Sequence, residues 1–176
     1  MTEIVLGVDG MTLDELASIA RKGDKVQLAD DAVERITTAR ALIEKWVLEG
    51  RNIYGITTGF GALSNVNISK KDTRLLQKNV LMSHAAGVGN SLDLETVRAV
   101  MALRIKDLAR GHSGIRLQTV QYLIQLLNCG ICPVVPEKGS VGASGDLAPL
   151  AHLSLVLIGQ GEAFHKGRKI SGKEVL

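Results

Sequence analysis

Apolar residues recur at helical spacing over most of the chain. Between positions 30 and 49, Val33, Ile36, Ala39, Ile43 and Val47 form one stripe, and Gly50 follows it. A stripe closed by a residue that tolerates left-handed backbone predicts an amphipathic helix. The same reading predicts helices over 93–110 and 117–128, closed by Gly111 and Gly130. Thr12-Leu-Asp-Glu15 is a capping box that opens a helix to about Arg21. Ser69-Lys-Lys-Asp72 opens another, to about Ala86, and Ser171-Gly-Lys-Glu174 opens one more. From Leu147 to Ile158 the chain is apolar almost all round, which predicts a helix buried on every side. Strand patterns are few. Residues 3–8 read as one short strand, and "GEAFHKGRKIS" (161–171) alternates around a Lys-Gly turn, the pattern of a small β-hairpin.

The predicted fold class is therefore mainly α, with short strands and a hairpin near the end. Two regions are expected: a helical domain over 1–110 containing the loop "RNIYGITTGFGALSN", and the start of a central helical domain over 111–176. The one-turn helix opened by Ser171 and the fully apolar helix both suggest the first part of a longer helical protein.

Composition narrows the function. The chain has 176 residues, 45% hydrophobic and 22% charged, as in ordinary globular proteins. Net charge is +3, but the basic residues are scattered and aromatics make up only 3%, so no nucleic-acid surface is expected. "MTEIVLGVDG" lacks the regions of a signal peptide, and "LAPLAHLSLVLIG" is too short to span a bilayer. Two cysteines suit a reducing, cytoplasmic setting. They form "CGIC" (129–132), which lacks the further ligands a metal site needs and reads as two small apolar residues at a helix end. His84, His112, His152 and His165 show no metal-ligand spacing. His152 reads as structural and His165 as solvated at the hairpin tip.

One string carries unusual chemistry: "GSVGASGDLAP" (139–149). It lacks the Gly-x-Ser-x-Gly of a nucleophile elbow and the Gly-Lys-Ser/Thr of a phosphate loop. The nitrogen of Gly145 lies where a sharp bend brings it onto the carbonyl carbon of Ala143, closing a five-membered ring. Gly leaves that nitrogen unhindered, and the Ser144 hydroxyl can leave as water. Loss of two waters gives an imidazolone with an exocyclic methylene, an electrophile that no ordinary side chain provides. Asp146 is placed to cap the following helix, and Pro149 is tolerated in its first turn.

The segment "GSVGASGDLAPLAHLSLVLIGQGEA" (139–163) closely resembles the prosthetic-group segment of the aromatic amino-acid ammonia-lyases. "YGITTGFGAL" (54–63), "QKNVLMSHAAGVG" (77–89) and "LARGHSGIR" (108–116) resemble the same family, and "SHAAGVG" with "GASGDLAPLAH" is most similar to its bacterial, histidine-specific branch. The resemblance implies that Ala143, Ser144 and Gly145 cyclise to 4-methylideneimidazole-5-one. It implies that Tyr54 is the catalytic base, that Gly61 belongs to its loop, that His84 lines the pocket for the substrate's ring, and that Asp146 assists ring formation. It further implies release of ammonia from L-histidine to give trans-urocanate, a cytoplasmic homotetramer, and no metal. Family members run to roughly three times this length, so the chain alone is expected to be inactive. A tyrosine ammonia-lyase or aminomutase with the same ring, and a non-catalytic assembly module, stay open as alternatives.

Overall fold

The computed structural model describes residues 3–7, 9–59 and 70–176, with the backbone alone for 70–74. Strand β1 (Glu3–Leu6) buries Ile4 and Leu6 and turns Glu3 and Val5 outward. Thr12 then caps α1 (Leu13–Ala17), with both bonds of the capping box in place. A π-helical turn over Ser18–Lys22 ends at Gly23, whose φ of +75° only glycine adopts readily. Strand β2 (Lys25–Leu28) returns parallel to β1, with Ile4 opposite Val26. The stripe over 30–49 forms α2 (Asp30–Leu48).

Helix α3 (Lys70–His84) stops two residues short of the expected end, and its Ser69 cap lies outside the described residues. Strand β3 (Val88–Ser91) follows, then α4 (Leu94–Leu108), capped by Asp93, and α5 (Leu117–Asn128). Next come the short strands β4 (Cys132–Pro133) and β5 (Pro136–Lys138). Helix α6 (Leu147–Leu155) tightens into a 3₁₀ turn over Val156–Ile158. The hairpin β6 (Glu162–His165) and β7 (Arg168–Ser171) leads into α7 (Gly172–Val175) under the Ser171 capping box. Lys166 and Gly167 both have positive φ, as a two-residue hairpin turn with matching twist requires. His165 is thus the last residue of β6, half-buried, and not the solvated tip.

The core gathers around α4 and α5. Val97, Met101 and Ile105 pack with Val120, Leu123 and Leu127, and with Ile19, Val26, Leu153 and Val156 from either side. Two polar ties fix this arrangement. The Arg98 guanidinium donates to the Ile19 carbonyl at 2.8 and 3.1 Å and to the Leu127 carbonyl at 2.9 Å. The Asn128 amide accepts from Val26 N–H and donates to Val26 C=O, both at 2.9 Å, so it continues the β1–β2 ribbon as a neighbouring strand would. Cys132 is buried in the core, and burial pushes its thiol pKa up against the pull of Arg98, which makes it a poor nucleophile. Cys129 is exposed.

The expected burial of the apolar helix is corrected. Ala151, Leu153 and Val156 are buried, but Leu147 is 59% exposed and Leu150 and Leu155 only half-covered. Among the described residues, one face of α6 packs against α3 and the core while the other lines an open cavity. No helix among the described residues is long and apolar enough to cross a membrane.

Candidate active site

Five segments far apart in the sequence meet at one cavity of about 530 Å³. Tyr54 comes from the turn after α2, Val80, Leu81 and His84 from the end of α3, and Asp146, Leu147 and Leu150 from the start of α6. Arg104 of α4 lines it too, although it also pairs with Asp107 at 2.8 Å. Nothing in the spacing of the sequence marked Arg104, because its place at the cavity follows from tertiary packing.

The turn that presents Tyr54 is built by threonines. Ile53 N–H donates to Thr57 Oγ1 at 2.8 Å, and that hydroxyl donates to the Arg51 carbonyl at 2.5 Å. Thr58 is buried and accepts from Gly55 N–H at 3.3 Å. Gln77 on α3 donates to the Gly55 carbonyl at 3.4 Å, which ties the turn to the helix carrying His84. Tyr54 itself is 63% exposed. Gly61 lies outside the described residues.

His84 occupies the last position of α3. Its Nδ1 is 2.8 Å from the Val80 carbonyl, which can only accept, so Nδ1 carries the proton. In the neutral ring Nε2 is then an acceptor. A histidine at the end of a helix here meets a carbonyl one turn back, which also accepts from Ser83 Oγ at 3.0 Å, and that carbonyl sets the tautomer.

The triad lies one residue before the cavity lining. Ala143 and Ser144 are exposed, in a turn over 142–144, and the cavity lining begins at Asp146. The backbone doubles back here. Gly142 has φ +88° and Gly145 φ +72°, and Ser140 Oγ donates to the Gly145 carbonyl at 2.6 Å. Asp146 occupies the N-cap position of α6, but its side chain makes no capping bond. That corrects the expected cap and has a chemical reason. A capping side chain bonds the N–H of the second or third helical residue from an extended backbone; Asp146 sits instead at φ −101° and ψ −12°, and the third residue, Pro149, has no N–H to offer. Asp146 is left available to the cavity.

Behind the triad, His152 of α6 accepts a hydrogen bond from Gly87 N–H at 2.9 Å through Nε2. Burial lowers the pKa of His152 below its ordinary 6.5. The unfolded chain binds this proton more readily than the folded one, so the contribution is complete above pH 6.5 and is lost as pH falls through the folded-state value. In urea titrations, the midpoint of the unaltered chain should fall between pH 7 and 5 more steeply than that of His152→Gln. Equal slopes would remove His152 from the acid response.

No group of three or more potential metal ligands occurs among the described residues. The model of the family described as "Aromatic amino acid lyase" matches residues 11–176. The chain belongs to the aromatic amino acid lyase family. Among this family's members, the chain is 51% identical over all 176 residues to the histidine ammonia-lyase of Caldanaerobacter subterraneus, and spans 35% of that protein. The structure of histidine ammonia-lyase from Trypanosoma cruzi matches 99% of the chain with a TM-score of 0.89 and 38% identity, over 34% of its own length. The Pantoea agglomerans phenylalanine aminomutase matches the whole chain with a TM-score of 0.92, also at 38% identity and 34% of its length. The chain thus spans about a third of the lyase relatives it matches. The mainly helical fold with short strands is that of this family's N-terminal part.

Proposed function

We propose that this chain supplies one part of a histidine ammonia-lyase active site, and that the enzyme containing it converts L-histidine to trans-urocanate and ammonia. One observation carries the reading: Tyr54, His84 and Asp146 line the same cavity beside Ala143-Ser144-Gly145, although more than ninety positions separate Tyr54 from Asp146.

The residues fit the ring that the sequence suggests. Gly142 and Gly145 hold the left-handed backbone that a doubled-back loop needs, and Ser140 closes the loop across its two ends. Once cyclised, Ala143-Ser144-Gly145 would supply 4-methylideneimidazole-5-one, an electrophile that takes up the substrate amine and makes it a better leaving group. Tyr54 is assigned as the base that removes the β-proton at its phenol oxygen. A free phenol titrates near ~10, so this role requires a neighbouring charge or dipole once substrate is bound. His84 orients the substrate ring: its Nε2 accepts a ring N–H while Val80 holds its own proton in place. Asp146 is assigned to supporting ring formation, and Gly61 to the Tyr54 loop. The reading includes a cytoplasmic homotetramer in which neighbouring chains cover the open face of α6. It also holds that these 176 residues alone do not turn over histidine.

An aminomutase on the same scaffold is the second reading, favoured by the aminomutase structure reported above. Product analysis separates the two: urocanate from histidine supports the lyase, and a β-amino acid product supports the mutase. Coumarate from tyrosine would move the substrate assignment.

Intact mass tests the ring. A mass two waters short, mapped to the peptide holding 143–145, is the expected result for the assembled enzyme. A full-mass tripeptide in an enzyme that turns over histidine would overturn the assignment of Ala143, Ser144 and Gly145.

A further inference from the structure

Two loops adjoin residues assigned to chemistry: 85–87 after His84, and 139–146 before α6. The structure shows how they are joined. Gly87 has no room for a side chain. A Cβ there would lie 3.1 Å from His152 Nε2, 3.3 Å from His152 Cδ2 and 3.2 Å from Pro136 Cβ. Gly139 is pressed into the same place, with its own Cβ position 3.0 Å from Gly87 Cα and 3.3 Å from Ala148 Cβ. Immediately beyond, β3 and β5 pair, Val88 opposite Lys138. One side-chain hydrogen bond crosses this node, from Gly87 N–H to His152 Nε2 at 2.9 Å.

We infer that His152 is a positioning residue: by accepting the Gly87 N–H at Nε2 from about one and a half turns inside α6, it locks the loop that follows His84 to the helix that follows the Ala143-Ser144-Gly145 segment.

His84 lies three residues before Gly87, and Asp146 lies six residues before His152. A helix is stiff over that distance, and β3–β5 pairing fixes the direction of both loops on the far side. The hydrogen bond therefore sets the spacing between His84 and the start of α6, and it does so without His152 reaching the cavity. Its acceptor must be Nε2, so the proton must sit on Nδ1. An imidazole is well suited here because it offers a flat acceptor against the Gly87 backbone. What the lock serves rests on the lyase reading. The lock itself does not.

Nitrogen-15 NMR of the unaltered chain near pH 7.5 tests this first. The expected signature is a His152 ring protonated at Nδ1 with an unprotonated, hydrogen-bonded Nε2, together with a slowly exchanging Gly87 amide. His152→Gln retains an acceptor and should keep that protection. His152→Leu should speed Gly87 exchange by about tenfold, as expected for loss of one buried hydrogen bond. The Leu variant should also shift the amide signals of His84 and Ser144 together, and the Gln variant should leave both near their original positions. A ring protonated at Nε2, or Gly87 exchange equal in all three proteins, would overturn the inference, and the first of these needs no variant to fold. Shifts confined to α6 would also overturn it. A full-mass tripeptide at 143–145 sinks the ring and leaves these signals untouched, so the two failures are distinguishable.

Discussion

Gly172→Ala should lower the melting temperature of this chain by roughly 10 °C. Gly172 begins α7 directly against the backbone of Gln160. A Cβ at that position would overlap the Gln160 carbonyl oxygen and lie 2.6 Å from its carbon and 2.8 Å from its nitrogen. None of these atoms belongs to a side chain that could rotate away. Gly172 N–H also donates to the Gly161 carbonyl at 2.8 Å, so moving α7 outward breaks that bond. The displacement propagates, because Tyr122 on α5 donates to the Val175 carbonyl at 3.1 Å and Val175 packs in the core. Overpacking against rigid surroundings costs about 3 kcal/mol, and at this chain length each kcal/mol moves the midpoint by roughly 2–4 °C. Gly10→Ala is the control, since nothing lies within 4 Å of a Cβ there. Far-UV circular dichroism melts of both variants check the point. A Gly172→Ala midpoint within about 2 °C of the control would mean that α7 docks more loosely than this geometry requires.

The sequence announced the helices, the first strand and the hairpin, but not β2 to β5, for a physical reason. Helices α2, α4 and α5 each carry several turns of apolar spacing and a closing glycine, so many residues report the same structure. Strand β3 is Val-Gly-Asn-Ser with every residue exposed, and it exists because β5 lies beside it. No alternation could reveal it. Strand β2 does alternate, with Val26 buried between Lys25 and Gln27, but four residues are too few to separate it from a loop. The apolar run at 147–158 predicted burial on every side, and only Ala151, Leu153 and Val156 are buried. It could not say what would do the burying, and among the described residues part of that surface remains open. Asp146 shows a different limit. Its position before α6 was legible, but the expected bond is absent, because its backbone is already helical and Pro149 three residues on offers no N–H. Tyr54 and His84 could be picked out only by resemblance, since neither has a spacing of its own. Their meeting at one cavity depends on α3 packing against α6, a contact between segments more than sixty residues apart. Arg104 reaches that cavity with no local signal at all.

Ser144→Ala in an active enzyme containing this chain should abolish turnover while leaving the fold intact. Ser144 is exposed in the turn over 142–144, and its side chain takes part in none of the core contacts. Removing its hydroxyl should therefore change the melting temperature by less than a few degrees. The chemical effect is of another order. Without that oxygen the second water cannot be lost from Cβ, and the exocyclic methylene cannot form. The mass spectrum should then lose the deficit of two waters expected at 143–145. Loss of a covalent catalytic group typically costs on the order of 10⁴-fold or more in kcat. Tyr54→Phe should behave differently, keeping the mass deficit while losing about 10²- to 10⁴-fold in rate, the range for a general base. The pair of variants separates making the electrophile from using it. If Ser144→Ala retained histidine turnover within tenfold of the parent, the triad could not be the source of the electrophile. The fold-level membership in the lyase family would stand, and the chemistry at this cavity would have to be assigned to other groups.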